Sequence, residues 1–309
     1  MLFRSPFLVV APTSVLETWR GEAERFAPDL RVVLLGETER RRGVAISESV
    51  AGADLVVTSY AVARIDDVAI ASVPWAGVVL DEAQFVKNPR SKGHAAIRRL
   101  RAPFVLAVTG TPLENSLMDL WSLLALAAPG LYPRADAFSA VYRRPIESGR
   151  EPELLDRLRT RIRPLMLRRT KSEVAADLPE KQVQVLDIAM NPQHERIYSR
   201  QLQRERQRVL GLLDDPEANR IAILSSLTRL RQLSLDPALV DDEHAEVGSA
   251  KIDALVEHLT ELRREGHRAL VFSQFTRFLR RVEARLDREG IPTAYLDGTT
   301  TNRPDVIRG

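Results

Sequence analysis

The sequence predicts an α/β protein with two parallel-sheet lobes, the first nearly complete and the second truncated, and a helical insertion between them. A chain of 309 residues is longer than one ordinary domain. Its first half alternates short apolar runs with amphipathic stretches, and this alternation returns near the end after a mainly helical stretch. We therefore expect lobe 1 at residues 1–130, a helical linker and protrusion at 131–248, and the start of lobe 2 at 249–309.

Short apolar runs in the first half predict the strands of the first sheet. They are Phe7–Ala11, Arg31–Leu35, Asp54–Ser59, Gly77–Asp81 and Phe104–Thr109. Between the first two runs, Leu16, Trp19, Ala23 and Phe26 recur at spacings of three and four, which predicts one face of a helix that begins after Ser14. Together these segments form the strand–helix–strand unit of a parallel sheet.

The insertion is mainly helical in pattern, with one predicted strand at Lys181–Met190 and helices at Pro192–Leu213 and Ala218–Leu233. The strand–helix alternation then resumes. Its segments are a helix at Ser249–Glu265, a strand at Arg268–Ser273, a helix at Phe275–Glu289 and a strand at Thr293–Asp297. Because an open parallel sheet needs several such units, we expect the second sheet to be incomplete at Gly309.

Composition excludes several classes of protein. The chain has no cysteine, so it has neither a disulfide framework nor a thiolate metal site. The longest apolar stretch, Leu120 to Leu131, is too short to cross a bilayer, and the first residues do not have the pattern of a signal peptide. The net charge of +3 is only a weak argument for nucleic acid. We expect a cytoplasmic protein without a membrane partner.

The segment GVVLDEAQ, from Gly77 to Gln84, carries the strongest chemical signal. An apolar strand delivers Asp81 and Glu82 to its carboxyl end, where ligands of open parallel sheets bind. Phosphoryl transfer needs a carboxylate that holds magnesium and a group that orients the attacking water, and these two side chains suit both tasks. The alternative is an ordinary surface pair, because adjacent Asp and Glu are common on protein surfaces.

A second signal is LAVTGTPLENSLMDLWSLL, in which a strand ends in a tight Thr-Gly-Thr-Pro turn that opens a helix. The turn is expected to present the hydroxyls of Thr109 and Thr111, with Gly110 between them, beside the carboxylate pair of the neighbouring strand. A hydroxyl there can report the state of a nucleotide. Alternatively, both threonines only satisfy the turn and cap the helix.

With these blocks in order, the chain resembles the Swi/Snf family of superfamily-two helicase-like ATPases. The similar blocks are LVVAPTSVLETWRGEAERFAP, DLVVTSY, VVLDEAQFVKNPRSK, TGTPLENSLMDLWSLL, LMLRRTKSEVAADLPEKQ, LTRLRQLSLDPAL, SAKIDALVEHL, HRALVFSQFTRFL and YLDGTT. The resemblance implies two RecA-like lobes, ATP and Mg²⁺ as cofactors, and movement along DNA as the activity of the intact parent. It leaves open which DNA-bound protein is displaced, RNA polymerase or a nucleoid protein among them, and it implies a nucleoid-associated location.

Residue roles follow from the same resemblance. It implies that Asp81 coordinates Mg²⁺, that Glu82 activates water, and that Gln84 and the turn from Thr109 to Thr111 couple the nucleotide to DNA. For duplex DNA it points to three segments, namely Pro12, Thr13 and Ser14, then Thr58, Ser59 and Tyr60, and in the second lobe Ser273, Gln274 and Phe275. Hydroxyls and backbone amides at strand ends hold phosphates without reading bases. Thr13 and Ser14 have the alternative role of capping a helix.

The chain departs from the family pattern at both ends. A phosphate loop ending in Gly-Lys-Thr or Gly-Lys-Ser is expected before Phe7, yet only six residues stand there. The chain also stops after RPDVIRG, before the motif whose arginines reach the nucleotide. We therefore expect these 309 residues alone neither to bind ATP tightly nor to hydrolyse it.

Two other functions stay open at this point. An RNA-directed helicase is disfavoured by the TGTP block, where such proteins have Ser-Ala-Thr, and by the long stretch between Thr111 and Leu270. A non-catalytic scaffold that binds nucleic acid or protein without ATP is what a missing phosphate loop would predict.

Overall fold

The computed structural model describes residues 5–110, 116–175, 177, 179, 181–212, 215, 218–300 and 306. The chain divides into two compact units, Met1–Asp177 and Leu178–Gly309. The finer division of the sequence into 1–130, 131–248 and 249–309 stays a prediction. Across the described ranges, no helix has both the length and the apolar character that a membrane span requires.

The first unit is built on a parallel sheet, which confirms the predicted α/β class and all the strands predicted in the first half. Its strands are β1 (Phe7–Ala11), β2 (Val32–Leu35), β3 (Leu55–Ser59), β4 (Gly77–Leu80) and β5 (Val105–Ala107), in the order β2-β3-β1-β4-β5. Ala11 lies opposite Ser59, and Val10 lies opposite Leu80. The carboxyl ends of β1, β3 and β4 therefore meet at one edge of the sheet.

Eleven helices are described in the first unit, some packed on the sheet and the later ones in a separate cluster with α7. They are α1 (Leu16–Phe26), α2 (Glu39–Arg42), α3 (Ile46–Ser49), α4 (Tyr60–Ile65), α5 (Asp67–Ala71), α6 (Lys92–Arg99), α7 (Leu117–Ala127), α8 (Ala135–Phe138), α9 (Arg144–Glu147), α10 (Glu153–Ile162) and α11 (Lys171–Val174). Shorter 3₁₀ turns lie at Thr13–Val15, Ala83–Val86 and Arg163–Leu165, and a π-helical turn lies at Ser139–Arg143.

Both faces of the central strands are covered, as a parallel sheet requires. On one face, Val9 and Val57 pack against Leu16 of α1. The opposite face carries a larger apolar cluster that includes Leu8, Leu80 and residues of α4, α6 and α7. Both faces therefore hold the strand ends in fixed positions.

Helix α1 agrees with its prediction in extent but not fully in burial. Leu16 is 5% exposed, whereas Phe26 at the other end is 72% exposed. Neither Thr13 nor Ser14 caps α1, because the N-cap position is Val15 and no side chain makes a capping hydrogen bond there. The capping role that the sequence suggested for these two residues is therefore wrong.

The second unit consists of helices around a small apolar core. The helices are α12 (Pro192–Leu210), α13 (Arg220–Leu235), α14 (Ala250–Arg264) and α15 (Thr276–Arg288), with 3₁₀ turns at Pro237–Leu239 and Asp242–Val247. These four helices lie where the sequence predicted them. The core contains Ile252 and Val256 of α14 together with Phe278, Val282 and Leu286 of α15.

The strands predicted at Lys181–Met190, Arg268–Ser273 and Thr293–Asp297 are wrong. No strand occurs in the described residues of the second unit. Leu270 and Phe272 are each 86% exposed, although a strand of a parallel sheet is covered on both faces. The physical reason is that a strand forms by pairing with a neighbour, and the apolar pattern of one segment does not supply that neighbour.

Candidate active site

The backbone of Asp81 is fixed at the carboxyl edge of the sheet. Strand β4 ends at Leu80, and the Asp81 N–H donates to the carbonyl of Val10 on β1 at 2.9 Å. Asp81 is half-buried, so its carboxylate lies at the surface of the edge while its main chain continues the ladder. This is the position where an open parallel sheet binds ligands.

The carboxylate of Asp81 is oriented by hydrogen bonds to both of its oxygens. The indole N–H of Trp19 donates to Oδ2 at 2.8 Å, and the backbone N–H of Glu82 donates to Oδ1 at 3.0 Å. The hydroxyl of Tyr60 donates to the carbonyl oxygen of Asp81 at 2.8 Å. Burial, with the nearby charges of Asp81 and Glu82, raises the pKa of Tyr60 well above its usual value, so this hydroxyl stays a proton donor.

Glu82 has an uncommon backbone conformation. Its φ and ψ are both 51°, in the left-handed region, and it is the only non-glycine residue with positive φ in the described parts of the chain. Such a conformation costs about 1–2 kcal/mol for a residue with a Cβ atom. Strained residues cluster at functional sites, so the conformation points to a role for this exposed side chain.

Gln84 connects Glu82 to the neighbouring strand end. Its Nε2 donates to Glu82 Oε2 at 2.6 Å, and its Oε1 accepts from the hydroxyl of Thr109 at 2.7 Å. The loop is also tied to that strand by the Ala83 N–H, which donates to Val108 O at 2.9 Å. A continuous row of hydrogen bonds therefore runs from Glu82 to Thr109. Gly110 follows in an exposed bend, and Thr111 lies outside the described residues.

The donor set at Asp81 fits a magnesium ion that is shared with a phosphate. No group of three or more His, Cys, Asp or Glu side chains suited to a metal occurs in the described ranges. Mg²⁺ is nevertheless bound in nucleotide sites through one or two carboxylates, with phosphates and water as its other ligands. Each carboxylate oxygen of Asp81 accepts one of the hydrogen bonds above and has a further lone pair available.

The 3₁₀ turn Ala83–Val86, which follows Glu82, is held by an aromatic stack and by a buried histidine. The ring of Phe85 is 62% exposed and stacks on Tyr60 with ring centroids 5.5 Å apart. His94 is buried, and its Nδ1 lies 2.9 Å from Val86 O and 3.2 Å from Ser122 Oγ. Burial lowers the pKa of His94, so its ring stays neutral at neutral pH.

The predicted DNA-contacting residues of the first unit lie near this site but differ in exposure. Thr13 and Ser14 are exposed just after β1. Thr58 is buried and its hydroxyl donates to Leu35 O at 2.8 Å, while the Ser59 hydroxyl accepts from the Val62 N–H at 3.2 Å. The last two hydroxyls already have partners inside the fold. Their DNA role, like that of Pro12, Thr13 and Ser14, stays a prediction.

The predicted DNA-contacting residues of the second unit precede α15. The Phe275 N–H donates to Ser273 Oγ at 3.2 Å, and Gln274 is exposed. Phe275 packs against the core of the unit, with the guanidinium of Arg231 6.0 Å from its ring centroid. A DNA role for Ser273, Gln274 and Phe275 also stays a prediction.

Two aromatic residues at the site were not predicted as functional. The helical spacing predicts only that Trp19 lies on the apolar face of α1, and the sequence pattern assigns no role to Phe85. The available signal was chemical, because a half-buried tryptophan usually needs a partner for its indole N–H. Helical spacing gives the direction of the side chain but not the atom that it meets 62 residues away.

Comparison with known proteins identifies a matching family. The model of the SNF2-related domain family matches residues 3–239. YwqA of Bacillus subtilis, which carries the name of an ATP-dependent helicase/translocase, is 34% identical over 307 residues, covering 97% of this chain and 33% of that protein. The ISWI chromatin-remodeling complex ATPase ISW1 of Saccharomyces cerevisiae is 29% identical and is covered to 28%.

A solved structure is also similar. The SWI2/SNF2 ATPase core of Sulfolobus solfataricus in complex with double-stranded DNA matches with a TM-score of 0.52 and 30% identity, covering 98% of this chain and 64% of that one. The SWI2/SNF2 ATPase core domain of Sulfolobus solfataricus also matches, with a TM-score of 0.50 and 28% identity. The chain spans about a third of the length of the curated relatives above.

Proposed function

Because this chain belongs to the SNF2-related domain family, we propose that it is part of a motor that uses ATP hydrolysis to move along duplex DNA. The observation that carries the proposal is the row of side chains Asp81, Glu82, Gln84 and Thr109 at the carboxyl edge of the sheet. A carboxylate pair connected by hydrogen bonds to a neighbouring strand end can both act on a nucleotide and report its state.

The chemistry divides between the two carboxylates. Asp81 would hold Mg²⁺ together with the phosphates of ATP, and the ion would neutralise charge that develops during phosphoryl transfer. Glu82 accepts a hydrogen bond from the attacking water and orients it. Gln84 holds Glu82 in place and, through its bond to the Thr109 hydroxyl, connects the carboxylate to the turn that follows β5.

Duplex DNA is proposed as the polymer on which the motor acts. The similar Sulfolobus core was solved with double-stranded DNA. The exposed hydroxyls of Thr13 and Ser14 lie next to the site, where contacts to phosphates would place DNA close to Asp81 without reading its sequence. A DNA-bound protein such as RNA polymerase or a nucleoid protein as the displaced partner, and a cytoplasmic, nucleoid-associated location, remain predictions.

The sequence also bears on what this polypeptide does by itself. No Gly-Lys-Thr or Gly-Lys-Ser occurs anywhere in the 309 residues. That sequence supplies the backbone amides and the lysine that cradle the phosphates in P-loop ATPases. We propose that these residues alone have no ATPase activity and that the activity belongs to the longer parent protein.

The test measures ATP hydrolysis by the parent protein with duplex DNA, single-stranded DNA, RNA or no nucleic acid. We expect stimulation by duplex DNA, and we expect Glu82→Gln to lower kcat by about 10²–10⁴-fold because the water loses its base. Glu24→Gln, which alters an exposed glutamate of α1, is the matched control and keeps the parental rate.

Other outcomes point to the other functions. Stimulation by RNA alone would indicate an RNA-directed helicase. DNA binding by the parent without any ATP hydrolysis would indicate a non-catalytic scaffold. Hydrolysis by the 309-residue polypeptide would contradict the proposal that it is inactive alone.

A further inference from the structure

Two aromatic hydrogen-bond donors reach Asp81 from two different strand ends. Trp19 lies in the first turn of α1, which follows β1, and its indole N–H contacts the carboxylate. Tyr60 is the first residue of α4, directly after β3, and its hydroxyl contacts the carbonyl oxygen of the same aspartate. Asp81 is thus contacted by Tyr60, which belongs to one segment proposed to contact DNA, and by the helix that follows the other such segment.

The path from each segment to Asp81 is short. The 3₁₀ turn Thr13–Val15 continues directly into α1, so Thr13 and Ser14 lie in the same continuous helical segment as Trp19. The ring of Trp19 packs against the apolar cluster around Leu16, which limits its freedom to rotate. Closely packed side chains transmit displacement, because the interior has little free space to absorb it.

Tyr60 is held from two sides. Its ring stacks on Phe85, with an angle of 8° between the planes, while its hydroxyl donates to Asp81 O. Phe85 lies in the 3₁₀ turn that follows Glu82. Tyr60 therefore contacts Asp81 directly and also contacts Phe85 in the turn that follows Glu82.

We propose that Trp19 and Tyr60 are positioning residues that couple DNA binding to Asp81. When duplex DNA contacts the segment at Thr13 and Ser14 and the segment that ends at Tyr60, these two aromatic residues set the orientation of the Asp81 carboxylate. This inference rests on the proposed function and adds to it the route of coupling. Trp19 orients the carboxylate itself, and Tyr60 fixes the backbone that carries it. Hydrogen bonds from neutral donors to ionised acceptors are among the stronger ones, so the Trp19 contact is the larger of the two effects.

The first test uses Trp19→Phe in the parent protein, since phenylalanine keeps most of the ring packing and removes only the donor. Trp75→Phe is the matched control, because the Trp75 indole N–H also donates at 2.8 Å, to Ile70 O in the core. We expect Trp19→Phe to lower the stimulation by duplex DNA about tenfold and to raise the Mg²⁺ concentration for half-maximal rate, as loss of a hydrogen bond to a charged group predicts. Tyr60→Phe, which keeps the stack on Phe85, should show a smaller loss of stimulation.

If Trp19 had only a structural role, Trp19→Phe would change the stimulation by duplex DNA and the Mg²⁺ concentration for half-maximal rate no more than Trp75→Phe does. If Trp19→Phe and Trp75→Phe give the same ratio of ATPase rates with and without duplex DNA, and the same Mg²⁺ dependence, Trp19 does not couple DNA binding to Asp81. A parent protein that hydrolyses no ATP under any condition contradicts the proposed function instead. A parent that is stimulated by duplex DNA and whose Trp19→Phe variant matches the control contradicts only the present inference.

The second test does not depend on turnover and keeps Trp19 in place. The chain has three tryptophans, so Trp75→Phe with Trp121→Phe leaves Trp19 as the only indole of these 309 residues. In a parent carrying these changes and no other tryptophan, we expect the fluorescence of Trp19 to change when duplex DNA is added with Mg²⁺. The change should be smaller with Asp81→Asn, because part of it reports the hydrogen bond between the indole N–H and the Asp81 carboxylate. An unchanged spectrum, or an equal change with Asp81→Asn, would overturn the inference even if Trp19→Phe failed to fold.

Discussion

The two units differ in how many of the strands predicted from the sequence are present in the structure. In the first unit, each apolar run predicted as a strand pairs with a neighbour, and the candidate active site lies where those strands end. In the second unit the helices formed as predicted, but Arg268–Ser273 and Thr293–Asp297 did not become strands. A helix satisfies its backbone hydrogen bonds within one segment, whereas a strand needs another segment to do so.

The units also differ in what stabilises them. The sheet of the first unit is buried between two apolar clusters. The second unit has a smaller apolar core and a charged pair with a buried aspartate, in which Arg281 Nε donates to Asp236 Oδ2 at 2.6 Å. Asp236 is 0% exposed, and its other oxygen accepts the Ala238 N–H at 2.9 Å. The second unit therefore combines its smaller apolar core with a charged contact to a fully buried aspartate.

Hydrogen exchange offers the strongest test of this comparison. In the 309-residue chain, the amides of β1 should exchange at least about 10³-fold more slowly than those of Arg268–Ser273, because the former open only with the unit and the latter have no ladder partner. The amides of α14 serve as the internal control, since their protection shows that the second unit is folded. Protection of Arg268–Ser273 equal to that of α14 would contradict the comparison.

The same contrast shows what could be predicted from the sequence. The strand from Gly77 ends at Leu80, directly before Asp81 and Glu82, so an apolar run followed by carboxylates was enough to predict that both residues lie at the carboxyl edge of the sheet. The Trp19 contact could not be predicted, because it joins residues 62 positions apart and depends on how α1 lies on the sheet. The conformation of Glu82 was also unpredictable, since glutamate has no preference for positive φ.

Arg281→Leu tests the polar contribution in the second unit. We expect it to lower the free energy of unfolding of that unit by about 3–5 kcal/mol, because the buried Asp236 carboxylate loses its charged partner. Arg285→Leu is the matched control on the same helix. The two arginine side chains are 35% and 34% exposed, but the Glu289 partner of Arg285 is 44% exposed, so that change should cost about 0–1 kcal/mol.

The measurement is the slowest hydrogen exchange of α14 and α15 amides, which reports the opening of this unit alone. Equal effects of the two substitutions would show that the Asp236 pair adds no more than a surface pair. The second unit would then depend on apolar packing as the first one does.

His94 makes the stability of the first unit depend on pH. Desolvation, with the nearby charge of Arg98, lowers the pKa of the folded histidine below its ordinary value of 6.5, although its hydrogen bond to Val86 O opposes this. The unfolded chain therefore binds the proton more readily. The contribution of neutral His94 to the free energy of unfolding is fully present above about pH 6.5. It is lost as the pH falls from there towards the lowered pKa, by at most about 1.4 kcal/mol per pH unit.

Tryptophan fluorescence can follow this loss, because Trp19, Trp75 and Trp121 all lie in the first unit. Urea unfolding between pH 5 and pH 8 should show a smaller pH slope for His94→Gln than for the unaltered chain. His258→Gln changes a half-exposed histidine of the second unit and should leave the slope unchanged. Identical slopes for all three proteins would show that His94 takes up its proton without opposing the fold.

The smallest expected effect concerns Glu82 of the first unit, the only non-glycine residue with positive φ in the described ranges. Asparagine tolerates positive φ better than glutamate, so Glu82→Asn should raise the free energy of unfolding of this unit by about 0.5–1 kcal/mol. Glu82→Gln keeps the backbone preference of glutamate and should give no such gain. Both changes remove the carboxylate, so both should lower the kcat of ATP hydrolysis by the parent protein about 10²–10⁴-fold. Urea unfolding followed by tryptophan fluorescence distinguishes the two variants. Equal free energies of unfolding would mean that the positive φ of Glu82 does not destabilise the first unit.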